Sequence, residues 1–240
     1  SQGFLDYHIN TTTDQIAFTI NEKSTIAFPM FYLYEDVLDL LHFSMQFSTR
    51  SLDDIPFVRL GLIFDLYKKN YGISFSNDAL TNNIQHQILT HIEGCLVGPI
   101  LVKLGMSGMF HKYFMEISFR PEEFHKSPEN FKIILDFLVD LGWFTQKNGN
   151  YQFTEIGLFF AKRASAYGVT VSYLPTFNKI EDLIFGNPNI LRTIAEGEDE
   201  IHVDREMNVW GSGRAHDTYF KIVNELIIKL SHLIMHNQRN

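Results

Sequence analysis

A chain of 240 residues with 45% apolar side chains is long enough for one large domain or two small ones and can supply a real core. Its 14% aromatic and 20% charged residues exclude a disordered or low-complexity polymer. Twenty Lys and Arg against 28 Asp and Glu leave a net charge of −8, which opposes non-specific attraction to phosphate backbones and anionic lipid, so neither nucleic acid nor membrane is expected as a partner.

Cys95, the single cysteine, cannot form an internal disulfide, and Ser1-Gln2-Gly3 does not open a secretory leader; a cytoplasmic protein is expected. The longest apolar stretch, Gly94 to Phe110, is interrupted by Pro99, Lys103 and glycines and falls short of the ~20 residues of a membrane span. It reads as a buried helix pair.

In chain order, Ile16 to Ile20 and Ile26 to Phe28 around the polar Asn21-Glu22-Lys23 predict a short hairpin. Val37, Leu40, Leu41 and Met45, then Leu60, Ile63, Phe64 and Tyr67, recur at three and four residues and predict two amphipathic helices separated near Pro56. Ser76 and Asp78 ahead of Leu80, Ile84, Ile88 and Leu89 predict a capped helix running toward Gly94, and Pro99 begins a short helix ended by Gly105.

Ser127-Pro128-Glu129 predicts a helix start with a serine cap and proline at the first position; Phe131, Ile134, Leu135, Leu138 and Leu141 mark one apolar face, and Gly142 stops it. Two short strand-like runs follow around Asn148-Gly149, a strong two-residue hairpin signal. Thr154-Glu155 then opens a helix from Ile156 to Ala166. Helix, capped helix, hairpin, helix is the order of a winged helix.

Winged helices commonly read DNA through the helix before the wing, with Lys and Arg on phosphates and base edges. Here that helix carries Glu129, Asp136 and Asp140 against Lys132, and residues 111–170 balance seven basic against seven acidic side chains. A transcription regulator is disfavoured.

The runs Leu104-Gly105-Met106-Ser107-Gly108-Met109-Phe110, Ile134 through Phe144, and Tyr151-Gln152-Phe153-Thr154-Glu155-Ile156-Gly157 resemble the N-terminal winged helix of O-methyltransferase-type enzymes, which precedes a segment like Tyr173-Leu174-Pro175-Thr176-Phe177 and then the catalytic core. Glu93 through Pro99 and Val209 through Phe220 are more narrowly similar to methyltransferase regions of polyketide synthase loading modules. That resemblance implies S-adenosylmethionine as cofactor of the full enzyme and a lid over its active site. It also implies C-methyl transfer to a malonyl-type thioester on an acyl carrier protein, and a core downstream of Asn240.

A class I methyltransferase core needs an apolar strand ending in a glycine-rich turn. Among 15 glycines only Gly211-Ser212-Gly213 has the G-x-G spacing, and the polar run before it is too short for a buried parallel strand. The stretch reads either as a helix-start turn capped by Ser212 or Asp217, or as a loop whose free N–H groups favour a carboxylate such as the cofactor's amino-acid end. By resemblance, Trp210, Gly211, Gly213, His216 and Tyr219 would flank the cofactor, and Tyr173 and Phe177 would line the substrate channel, although ordinary core packing explains the aromatic residues as well.

His86, His91 and Glu93 do not share a helical face and read as packing or surface groups rather than metal ligands. Cys95 reads as a small hydrophobe, and the acidic cluster Glu196, Glu198, Asp199, Glu200, Asp204 and Glu206 as a solvated linker. No catalytic residue and no metal site is assigned.

The expected protein is therefore mainly α-helical without a Rossmann core. A helical region with a hairpin spans 1–93, a winged helix 94–168, and an acidic linker with a long final helix 169–240. It would be inactive and bind the cofactor weakly without its core, with a homodimer as a further possible state. The rival expectation is a free-standing winged-helix module for protein interaction or dimerisation.

Overall fold

The computed structural model describes residues 3–37, 54–111, 115–192 and 200–237. Among them the fold is mainly helical, and its sheets are two antiparallel two-stranded hairpins with no parallel pairing. The chain divides into two compact units, residues 1–97 with 125–141 and residues 98–124 with 142–240.

In the first unit, β1 (Leu5–Asn10) pairs with β2 (Gln15–Ile20), from Leu5 opposite Ile20 to Asn10 opposite Gln15. The Asn10 carboxamide accepts from Thr12 N at 3.0 Å and Thr13 N at 3.3 Å, and Asp14 takes a positive φ of 53°. The hairpin predicted around Asn21 is displaced by one element: Ile16 to Ile20 is its second strand, and Glu22–Ala27 is helix α1. Asn21 is the reason, because its side chain accepts from Ser24 N at 3.2 Å while Ser24 Oγ accepts from Asn21 N at 2.6 Å, closing a capping box. A 3₁₀ turn, Phe28–Tyr34, follows.

Leu40, Leu41 and Met45 of the first predicted amphipathic helix lie outside the described residues. The second is α2 (Asp54–Lys68), and Pro56 sits in its first turn rather than ahead of it, where a missing N–H costs nothing. Helix α3 (Ala79–Met106) starts as predicted, with Asp78 Oδ2 accepting from Thr81 N at 2.8 Å. It does not end at Gly94.

The helix pair expected between Gly94 and Phe110 is instead the second half of this 28-residue helix, which continues through Pro99. A proline there removes one hydrogen bond and crowds the preceding turn. Burial of Leu96, Val97, Ile100, Leu101 and Val102 around it outweighs that cost. By length and composition α3 could cross a membrane, but most of its apolar window is buried inside the protein.

Helix α4 (Pro121–Phe124), a single turn, belongs to the second unit, while α5 (Pro128–Asp140) belongs to the first and has Pro128 at its first position. Ser127 is the boundary residue but its hydroxyl makes no capping bond; its N–H donates to His125 Nδ1 at 3.1 Å instead. The apolar face of α5 buries Phe131, Ile134, Leu135 and Leu138, with Phe137 added. Phe137 stacks on Phe64 with centroids 3.8 Å apart and rings 2° from parallel, and Lys68 pairs with Asp140 at 2.6 Å. Gly142 ends α5 with φ of 77°, as its position predicts.

This unit also encloses three phenols. Tyr67 donates to Glu93 Oε2, Tyr34 Oη lies 3.3 Å from His91 Nδ1, and Tyr71 Oη is buried without a hydrogen-bond partner. Burial, followed by the Asp36 carboxylate, pushes Tyr71 up from 10.0 to about 12. Burial, with the bond to Glu93, raises Tyr67 as well. A raised acid is one the folded protein keeps protonated while the unfolded chain already ionises, so its contribution to stability is intact below pH 10 and is lost as pH climbs toward about 12. Denaturation midpoints are expected to hold up to pH 10 and then fall. Tyr71→Phe should be at least as stable as the wild type below pH 10 and decline less above it, because an unpaired buried hydroxyl is removed. Equal slopes for the two proteins would show that Tyr71 is not shielded.

In the second unit, α3 ends at Met106, with Met109 N bonding back to Leu104 O at 3.1 Å. The predicted wing is present: β3 (Phe144–Lys147) pairs with β4 (Asn150–Phe153), and Asn148 and Gly149 have φ of 53° and 79°, the double positive turn that suits Asn-Gly. Phe119 adds a bridge that no local signal indicated, exchanging bonds with Tyr151 at 2.9 and 2.8 Å. The helix expected from Ile156 to Ala166 stops at Ala161 (α6, Glu155–Ala161). Tight bonds such as Arg163 N to Phe160 O at 2.9 Å turn the chain over the buried Ala161 and Ala164 before α7 (Ser165–Ser172). Two short helices, α8 (Leu174–Phe177) and α9 (Ile180–Phe185), precede α10 (Arg205–Asn237).

Candidate functional site

The second unit brings the predicted substrate-lining and cofactor-flanking segments together through one helix crossing. Helices α7 and α10 meet backbone to backbone at Gly168 and Gly211: a Cβ built on Gly168 would stand 2.8 Å from the Gly211 Cα, and one on Gly211 would stand 2.7 Å from Val169 N. Ser172, fully buried, locks the crossing by accepting from Asn208 Nδ2 at 2.9 Å with its hydroxyl and from Asp204 N at 2.8 Å with its carbonyl.

Asp204 caps α10 by accepting from Met207 N at 2.9 Å, and its other oxygen lies 3.8 Å from Lys103 Nζ. Glu200 pairs with Arg205. Of the acidic cluster, Asp204 is therefore tied into the fold, whereas Glu200 and Glu206 are exposed and Glu196, Glu198 and Asp199 lie outside the described residues. Thr176 Oγ1 donates to His202 O at 2.6 Å, joining α8 to the approach of α10.

The stretch from Trp210 to Gly213 is not a loop. It lies inside α10, so neither a helix-start turn nor a set of free N–H groups exists there. At the seventh position of a helix, the Gly211 amide is already given to the carbonyl four residues back. Gly211 serves the crossing, and Trp210 packs its indole against Gly105, where Cη2 stands 2.9 Å from the place a Cβ would occupy. At 100° per residue, Trp210, Gly211, Gly213, His216 and Tyr219 are spread right round the helix. Gly213, His216 and Tyr219, three residues apart, form the one strip among them that a ligand could meet from a single side, and it is exposed.

Tyr173 and Phe177 sit four residues apart at the α7–α8 elbow, with Phe177 N bonded to Tyr173 O at 3.1 Å, and both rings are partly open to solvent. Ile180 and Ile184 continue the same spacing, and Phe185 is 85% exposed. The 3–4 spacing from Tyr173 through Ile184 is the sequence signal that extends this strip beyond the predicted Tyr173 and Phe177. A second open apolar stretch lies on the outer part of α10, at Tyr219, Ile222, Leu226 and Leu230.

The remaining candidates are packing groups. His86 stacks on Phe75 at 4.2 Å, His91 faces Tyr34, Glu93 accepts from Tyr67, and burial pushes the Cys95 thiol up. Among the described residues no three His, Cys, Asp or Glu side chains converge as for a metal.

Residues 93–187 match the family model of the AprA winged helix domain, and residues 200–238 match that of the AprA MT2-like domain. No curated protein matches the chain. The first match spans the end of α3, the wing and α6 to α9, and the second takes in α10 with its Asp204 cap. The chain thus carries the N-terminal winged-helix region of an AprA-type methyltransferase.

Proposed function

We propose that this chain is the lid and substrate-shaping part of an S-adenosylmethionine-dependent methyltransferase of polyketide biosynthesis, working in the cytoplasm on a malonyl-type thioester held by an acyl carrier protein. The observation that carries the reading is the pair of open apolar surfaces inside the two matched segments, Tyr173 to Phe185 and Tyr219 to Leu230. Apolar area of that kind is stable in water only at a cost and marks a surface that another body covers. A methyltransferase core seated on α10 is the body proposed.

The chain's own residues do not fit the cofactor as a glycine cradle. The Gly211 amide is spent in the helix and the backbone of Gly168 and Val169 packs where a ligand would sit, so S-adenosylmethionine is assigned to core residues, with Gly213, His216 and Tyr219 as a flanking strip. Tyr173 and Phe177 supply an apolar wall that excludes water from the thioester.

The test is calorimetric titration of S-adenosylmethionine into this chain and into a longer protein extended downstream. Binding by the longer protein alone is expected. A longer protein that ignores the cofactor would favour the free-standing interaction module.

A further inference from the structure

The N-terminal hairpin lies outside both matched segments and carries a third open apolar surface. In an antiparallel pair, residues directly opposite one another share a face. The register therefore places Leu5 with Ile20, Tyr7 with Phe18, and Ile9 with Ile16 on one side, all 43–68% exposed. Asp6, His8, Asn10, Gln15 and Thr19 occupy the other side, with Ala17 as its one apolar member. A two-stranded hairpin is marginal in water by itself. This one is tied down at its base, where Ser24 Oγ donates to Phe4 O at 2.5 Å and Asn21 Nδ2 to Gly3 O at 3.1 Å. Those bonds leave the apolar side uncovered.

We infer that this face is a self-association surface and that a second copy of the chain covers it. Three observations select that occupant. At roughly 100 Å² for each open side chain, the six contribute about 600 Å² per copy and about 1,200 Å² in total, above the ~1,000 Å² that a specific interface needs. The order along the face is aliphatic pair, aromatic pair, aliphatic pair, which reads the same from either end. A two-fold contact requires that self-complementarity, since it sets each patch against itself. The strands hold no Lys or Arg, and Asp6 and Asp14 are acidic, so the hairpin lacks the basic rim that would hold it on anionic lipid and the charges that would steer a charged partner.

Sedimentation velocity on the full chain across a concentration series tests this, together with Phe18→Asp and the milder pair Tyr7→Thr with Phe18→Thr, which keeps strand preference. The wild type is expected to dimerise, and both variants to weaken dimerisation by at least about tenfold while keeping the wild-type circular dichroism. A wild type that stays monomeric to about 100 µM would overturn the inference. So would a dimer that both variants leave intact, or co-sedimentation with phosphatidylcholine vesicles that depends on Phe18.

Discussion

Gly157→Ala is expected to lower the unfolding free energy by about 3–4 kcal/mol, the largest loss from one added methyl group in this protein. In an ordinary helix the same change adds roughly 1 kcal/mol of stability, so the sign itself is informative. Gly157 is the third residue of α6, and its N–H donates to Thr154 Oγ1 at 3.1 Å. A Cβ there would overlap the carbonyl oxygen of Trp143, with the carbonyl carbon at 2.9 Å and Phe153 Cδ1 at 3.1 Å. The carbonyl cannot retreat, because it accepts Thr154 N at 3.0 Å and Thr154 Oγ1 at 3.1 Å, and the Trp143 ring is stacked on Phe160 at 4.4 Å. Urea denaturation followed by circular dichroism reads the effect. A variant as stable as the wild type would show that α6 does not lie on the base of the wing.

Gly168→Ala and Gly211→Ala are expected to cost about 2–3 kcal/mol each, whereas Gly213→Ala should add up to about 1 kcal/mol. All three are helical positions, and only the surroundings differ. The first two face each other where α7 crosses α10, with the added carbon meeting backbone atoms at 2.8 and 2.7 Å; Gly213 has nothing within 4 Å. Backbone atoms cannot rotate aside as a flexible side chain can, so the two helices must separate and surrender the Ser172 to Asn208 bond and the burial of Val203 and Met207. Thermal denaturation of the three variants side by side gives the comparison. Stabilisation by all three would mean that the crossing is not close. The same crossing joins the AprA winged helix domain match to the MT2-like match, so the two variants should also weaken any cofactor binding seen in the extended protein.

Much of the winged helix was legible because its signals are local. The Pro128 start, the Gly142 stop, the Asn148-Gly149 turn and the Thr154 cap each depend on backbone dihedrals or hydrogen bonds within a few residues, and each stands in the structure where the sequence placed it. The capping box of Asn21 with Ser24 is equally local in its chemistry, and it overrides the strand-like alternation of Ile26-Ala27-Phe28.

What could not be read locally was decided by packing between segments far apart in the chain. Helix α3 runs through Pro99 because burial on either side of it outweighs one missing hydrogen bond. Trp210 to Gly213 looks like a loop by composition and becomes helix because Gly168 and Gly105 provide the hollows that Gly211 and Trp210 fill. Phe119 joins the wing through Tyr151, 32 positions away. By itself the sequence determined the helical class, the wing and the resemblance to a methyltransferase lid, since these rest on periodicity, caps and turns. The tertiary structure alone decided which glycines are contacts rather than loops and which apolar faces stay open, because both depend on what another part of the chain brings within van der Waals reach.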